Sequence, residues 1–378
     1  MEAQVTTEIL RELLNVPEPR TANRFHLLVD IMTIAIFAVI AGADGWVQVE
    51  SYGRRKRKWL KTFLELPYGI PSHDTFGRVF AAIKPEEFEK CFMAWMAGLV
   101  KLSGGRLVAV DGKSLRQSFQ HAGDKNAMVH MVSAFVAANR MVFAQVKTQG
   151  KGQELEGIER LLKMLDIQGA VVTIDALGCN KNIVELILEG KGDYLLQVKG
   201  NQETLHTKIQ NLMNEHYLEK FTAVEHDYHE EVCGGHGRVE TRRTWVIWDV
   251  QDLGPIFKDW PELKSLVMVE RTRDIGGIIS RERHYYISSL GRKVTAKRMA
   301  GYVRGHWSVE NNLHWQLDVS FNEDQRRIRK DHGAENFSRL CRIALNLLKN
   351  EKTQKTGIAI KRQTCGWNNE YLLKVVAG

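Results

Sequence analysis

Over the first hundred residues, apolar positions recur at three- and four-residue intervals in long runs, broken at Pro67, Gly69, Pro71 and Pro85. That period predicts helices, with Ser72 and Lys84-Pro85 as helix starts: serine caps orphan N–H groups and proline suits a first helical turn. Residues 1–102 are expected to form an N-terminal helical domain. The run Leu27 to Ala43 is the most apolar, but Asp30 and Thr33 interrupt it. Its unbroken part falls short of the roughly 20 residues a membrane span needs, so a buried core helix is expected and no membrane association.

After Ser103-Gly104-Gly105 the pattern shortens to β-branched runs at Leu107–Val110, Met128–Val136 and Met141–Val146. These predict three strands joined by tight turns. A helical pattern at Leu155–Leu165, a strand at Ala170–Ile174, a helix at Asn182–Leu188 and a strand at Tyr194–Val198 follow. Such alternation implies a parallel portion of sheet with helices on its faces. Three antiparallel strands followed by β-α-β units is the order of the ribonuclease H-like fold, an α/β mixed sheet with flanking helices. The rhythm breaks over residues 201–283, polar and glycine-rich around Thr244–Trp248 and Leu266–Val269, which predicts a β-rich insertion. The strand pattern returns at His284–Ser289 and a long helix is expected from about Thr295. The catalytic domain is thus expected over 103–350, with a basic C-terminal tail at 351–378.

The net charge of +8 matters because of where it falls: residues 326–378 hold twelve Lys and Arg against four Asp and Glu. A one-sided positive surface favours a polyanionic partner, since Lys and Arg release counterions when they neutralise phosphates. Five scattered cysteines (Cys91, Cys179, Cys233, Cys341, Cys365) form no C-x-x-C pair, which fits reduced thiols in a cytoplasmic protein. The first ten residues are acidic and lead into no cleavage site, so no secretory signal is expected.

Candidate chemistry sits at strand ends. Asp111 closes the run LVAV and Asp175 closes VVTI. Carboxylates at adjacent strand ends of an α/β sheet are placed to share divalent cations, although either Asp alone reads first as a turn or cap residue. A third acid, Glu310, lies in GYVRGHWSVENNLHWQLD, where His306, Glu310, His314 and Asp318 recur every four residues. The stripe drifts by about 40° per step in an α-helix and lacks the H-E-x-x-H spacing of zinc helices. A helix face that lines the core around Trp307, Leu313 and Trp315 is the alternative.

The segments AVDGKSLR (109–116), TIDALGCNKNI (173–183), LLQVKGNQ (195–202), HGRVETR (236–242), YYISSL (285–290) and RGHWSVENNLHWQLDVSFNED (304–324) resemble the H-repeat-associated insertion-sequence transposases. GADGW (42–46) and GIPSHDTFGRVF (69–80) resemble them as well, and the likeness runs in order along nearly the whole chain. The resemblance implies a DDE transposase that cleaves DNA and transfers strands by in-line displacement. It makes Asp111, Asp175 and Glu310 the triad and metal ligands, with two Mg²⁺ or Mn²⁺ ions as cofactors. Double-stranded DNA, as element ends and target, is the implied partner, bridged by a homodimer in the bacterial cytoplasm.

The Arg and Lys positions of the wider superfamily's Tyr, Arg, Glu and Lys signature are not matched, since His306 precedes Glu310 by four and Leu317 follows it by seven. Arg304, Arg326, Arg327, Arg329 and Lys330 are candidates for the phosphate contacts instead, together with His306 and Trp307. Lys113 and Arg116 beside Asp111, and Lys199 with Asn201 and Gln202, are further candidates, each against a reading as ordinary surface polarity. Arg54, Arg55 and Arg57, within a five-residue basic run ending before Trp59, are expected either to grip DNA or to form a solvated helix face. Trp245 and Trp248 are read as base-stacking residues or, alternatively, as the core of a small sheet. The rival function is a domesticated, catalytically silent DNA-binding protein that keeps the fold.

Overall fold

The computed structural model describes residues 8–99, 106–118, 128–148, 151–235 and 237–377; the expected boundary at Ser103-Gly104-Gly105 and the acidic amino terminus up to residue 7 lie outside them. Five helices come first: α1 (Glu8–Leu13), α2 (Leu28–Ile40), α3 (Trp46–Leu60), α4 (His73–Ala82) and α5 (Pro85–Leu99). Ser72 caps α4 by accepting from the Thr75 N–H, and α5 opens on Pro85, so both expected starts are present. The apolar run is α2, buried through its whole length after the first turn. No described helix is long and apolar enough to cross a membrane.

The strands are β1 (Leu107–Ser114), β2 (His130–Val136), β3 (Met141–Thr148), β4 (Val171–Ile174), β5 (Asp193–Val198), β6 (His226–Gly235), β7 (Arg238–Ile247), β8 (Ser265–Ile275) and β9 (Ile278–Ser288). All belong to one sheet in the order β3-β2-β1-β4-β5-β9-β8-β7-β6. β1 is antiparallel to β2 and parallel to β4, and β4 is parallel to β5, which is the ribonuclease H-like core. α6 (Glu154–Met164) and α7 (Lys181–Glu189) supply the crossovers.

The strands of the insertion are continuous with the main sheet. After α8 (Glu203–Leu218) its strands do not make a separate small sheet; β9 pairs antiparallel with β5 and carries β8, β7 and β6 outward as one continuous ladder. A free edge on β5 is thereby covered, which removes an unpaired row of backbone groups. Trp245 is buried and stacks on Phe221 with ring centroids 5.8 Å apart, so it is a core residue.

Helices α9 (Ala296–Val309), α10 (Trp315–Phe321), α11 (Gly333–Asn350), α12 (Ile358–Trp367) and α13 (Asn369–Ala377) complete the chain. Met299, Tyr302 and Val303 of α9 pack on one sheet face, over Leu107, Val171, Leu195 and Tyr286. Helices α1–α7 and α11–α13 share a single core on the other side.

The described residues 351–377 are therefore not a tail: Cys365, Leu372, Val375 and Val376 are buried beside α2 and α11. Much of the basic excess is internal as well. Arg339 pairs with Glu89, Arg342 with Glu323, Lys361 with Glu351 and Arg362 with Asp44, all with side chains at most 7% exposed on the basic partner. Burying a cation without such a partner is costly, so these residues knit α5, α11 and α12 together rather than facing a polyanion.

Candidate active site

Because β1 and β4 run parallel with Val110 opposite Ile174, the residues that follow each, Asp111 and Asp175, emerge side by side. Asp175 caps the short turn at Ala176–Gly178, accepting from the Leu177 N–H at 3.1 Å; Asp111 accepts from the Gly112 N–H at 2.9 Å. The two carboxylates line a cavity of about 130 Å³ together with Glu154 at the start of α6. Burial, followed by the charges of Asp175, Glu310 and Glu154, pushes the Asp111 carboxyl up to about 7. Asp175 is also raised, by burial first and by Glu154.

The third acid comes from above the sheet. α9 lies on β1 because Gly305 has no side chain: a Cβ there would stand 2.2 Å from Leu107 Cδ2. His306 anchors the same helix to β4, its Nδ1 3.1 Å from Thr173 Oγ1, and burial keeps this imidazole neutral, down at about 4. The helix then widens into a π-turn over Glu310–His314, in which the Trp315 N–H reaches back five residues to the Glu310 carbonyl.

The π-turn sets Glu310 and His314 beside Asp111. His314 Nδ1 is 3.5 Å from Asp111 Oδ2 and 3.8 Å from Glu310 Oε2. One ligand atom from each of Asp111, Glu310 and His314 lies within 4.8 Å of the others. Asp175 is not in that group; it joins Asp111 through the cavity beneath. Burial, with Lys113 close by, takes the His314 imidazole down to about 3, so it is neutral, and its buried Nε2 has no hydrogen-bond partner among the described residues. Two carboxylates and a neutral imidazole converging in this way are a donor set suited to a divalent ion.

The rest of the expected stripe goes elsewhere. Asp318 accepts from Lys113 Nζ at 2.7 Å, and Lys113 also faces Asp324 at 3.6 Å, so this lysine braces α10 instead of offering a free cation. Arg116 meets Asp324 at 3.1 Å. Asn201 donates to the Ala176 carbonyl at 2.6 Å and Gln202 to that of Cys179 at 3.0 Å, fixing the loop after Asp175. Arg326 donates to the carbonyls of Phe321 and Asp44, and Arg329 to that of Gln117. Lys199, Arg304, Trp307, Arg327 and Lys330 are exposed, as are Arg54, Arg55 and Arg57 on α3. Arg304 pairs with Glu231, and Arg54 with Glu50 at 2.6 Å.

Two neighbours were not singled out from sequence. Glu154 Oε1 is 2.6 Å from His130 Nε2, and His130 Nδ1 is 2.9 Å from Ser114 Oγ, a chain running under Asp111 from α6 through β2 to β1. Gly112 leaves the room for it, since a Cβ there would lie 2.6 Å from His130 Nε2. A second cavity, of about 400 Å³, opens between α9 and β7–β9; Arg242, Arg271, Tyr286, Arg304, Trp307 and Glu310 are among its lining.

The family model for the transposase DDE domain matches residues 102–347, and that for the DDE_Tnp_1-associated region matches residues 10–96. The chain belongs to the DDE transposase family. Among Escherichia coli K12 proteins it is 37% identical over 377 residues to YbfL, covering 98% of each chain. It is 38% identical over 358 residues to the H repeat-associated protein YhhI, which carries a transposase name, covering 93% of each. A solved piggyBac transposase synaptic complex with hairpin DNA shares 12% identity at a TM-score of 0.42, covering 98% of this chain and 79% of that one, a likeness too remote to bear on mechanism. As a DDE transposase, the chain is an insertion-sequence protein whose family acts on DNA, typically with divalent metals.

Proposed function

We propose that this transposase cuts DNA at the ends of its own element and joins the freed 3′-hydroxyl to target DNA, using Asp111, Asp175 and Glu310 to hold two Mg²⁺ or Mn²⁺ ions. The observation that carries the reading is the meeting of Asp111, Glu310 and His314 within 4.8 Å, from a strand and a helix far apart in sequence. Divalent cations held by such ligands stabilise the charge that develops on a phosphodiester under in-line attack. The raised Asp111 carboxyl fits this use, because crowded carboxylates without a counter-ion retain protons that a cation displaces.

The chain's own groups do the rest. Asp111 and Asp175 stand on rigid strand ends, so their oxygens are fixed before substrate arrives. His314, neutral and lodged against Asp111, contributes a nitrogen donor or orients that carboxylate. Lys199 beside Asp175 and the arginines and Trp307 of the larger cavity receive the DNA backbone as it passes Glu310. The exposed arginines of α3 grip DNA farther from the scissile bond, and a homodimer brings two element ends together in the cytoplasm.

The experiment is incubation of the full chain with DNA carrying its own element's ends, with Mg²⁺ or Mn²⁺. Cleaved 3′-hydroxyl ends and joined products support the proposal; binding without cleavage under either metal favours the catalytically silent reading.

A further inference from the structure

Lys349, near the end of α11, is a half-buried cation with no carboxylate in ion-pair reach among the described residues. Its ammonium spends its donors on two backbone carbonyls, those of Arg140 and Asn312, each at 2.6 Å, and sits 5.4 Å from the centroid of the Phe135 ring. Enclosure draws this lysine down to about 7. A lysine kept in so poor a setting for its charge calls for a reason, since one exposed to water would cost nothing.

The reason lies in what it touches. Arg140 is in the tight turn between β2 and β3, at φ +57°, and Asn312 is the middle residue of the π-turn. α11 is buried along nearly its full length, so the lysine stem rises from a fixed base. Lys349 therefore ties a buried helix and the end of the sheet to the centre of the turn whose two ends are Glu310 and His314.

That turn needs holding. A π-turn is a strained insertion in an α-helix, common where function demands it. Upstream, α9 buries Met299, Tyr302, Val303 and Val309; from the π-turn onward Leu313, Leu317 and Phe321, four residues apart, are buried together with His314. Reverting to regular α-helix would displace one residue's worth of register, about 100° of rotation, between those faces. Glu310 itself is no anchor, its side chain being 69% exposed.

We propose that Lys349 is a positioning residue of the metal site, acting through the Asn312 carbonyl to hold the π-turn in the register that brings Glu310 and His314 to Asp111. It rests on the proposed function, but the two can be tested apart. Lys349→Met keeps the stem and removes the donors; Lys349→Gln keeps one donor side.

Mn²⁺ affinity of the full chain, read by titration of free Mn²⁺ and made specific by its loss in Asp111→Asn, is the first readout; DNA cleavage across Mn²⁺ concentrations is the second. The expected result is an affinity about tenfold weaker in Lys349→Met and weakened less in Lys349→Gln. DNA binding stays unchanged, and cleavage recovers as Mn²⁺ is raised. A purely structural lysine would change melting temperature without this shift of activity along the metal axis. If Lys349→Met does not fold, Lys349→Gln carries the same comparison. Folded variants with the wild-type Mn²⁺ affinity overturn the inference; wild-type protein with no Asp111-dependent Mn²⁺ binding overturns the metal-site reading itself.

Discussion

His314 Nδ1 stands 3.5 Å from Asp111 Oδ2, although one belongs to the π-turn after α9 and the other to the middle of the sheet. An imidazole at this place makes the donor set softer than three carboxylates alone. His314→Ala is accordingly expected to weaken Mn²⁺ binding by roughly tenfold or more while changing Mg²⁺ binding less, because imidazole suits transition metals and Mg²⁺ prefers oxygen. Competitive titration of the two ions measures it; equal losses for both would remove His314 from the ligand set.

The docking of α9 should be acid-sensitive through His306. Its imidazole is held at about 4 against an ordinary 6.5, by burial. A value depressed on folding contributes stability that is complete above pH 6.5 and is lost as pH falls through 4. Melting temperatures between pH 7 and 4 should therefore fall more steeply for the wild type than for His306→Asn, and parallel curves would show that protonation of His306 does not govern the docking.

Arg339 and Glu89, 1% and 2% exposed, join α11 to α5, while Glu89 also accepts from the Gln145 N–H of β3 at 2.7 Å. Arg339→Ala leaves that carboxylate buried and uncompensated, an expected loss of about 3–5 kcal/mol in denaturant unfolding. A loss under 1 kcal/mol would mean water reaches Glu89.

For α3 the alternatives of DNA grip and solvated face separate on salt dependence. Replacing Arg54, Arg55 and Arg57 together by Ala should weaken DNA binding across sequences and reduce the slope of log K against log salt by roughly 0.9 for each phosphate that is no longer neutralised. An unchanged slope assigns these arginines to solvent.

Much of the fold was legible in sequence where local pattern and tertiary outcome coincide. Asp111 and Asp175 end apolar runs, and parallel pairing of those runs brings them together almost of necessity. Ser72, Pro85 and Thr295 start helices because capping is a local matter. Where partners are distant, the sequence misleads. Counting charge in residues 326–378 could not reveal that Arg339, Arg342 and Arg362 point inward to Glu89, Glu323 and Asp44. The four-residue stripe from His306 to Asp318 hid the π-turn, which changes the register within it and sends Asp318 to Lys113. Glu154 and His130 carry no local signal, since they meet only once α6 lies on β2.

The three-carboxylate site is tested most directly by comparing wild type with Asp111→Asn, Asp175→Asn and Glu310→Gln in Mn²⁺-dependent cleavage of element-end DNA, with DNA binding measured in parallel. Each substitution removes a carboxylate from the proposed metal site, where a bound cation would be worth several kcal/mol, so cleavage should fall by roughly a hundredfold or more while DNA binding persists. Cleavage that survives in any one of the three, with the protein folded and bound, would contradict the assignment of that residue and of the three-carboxylate site.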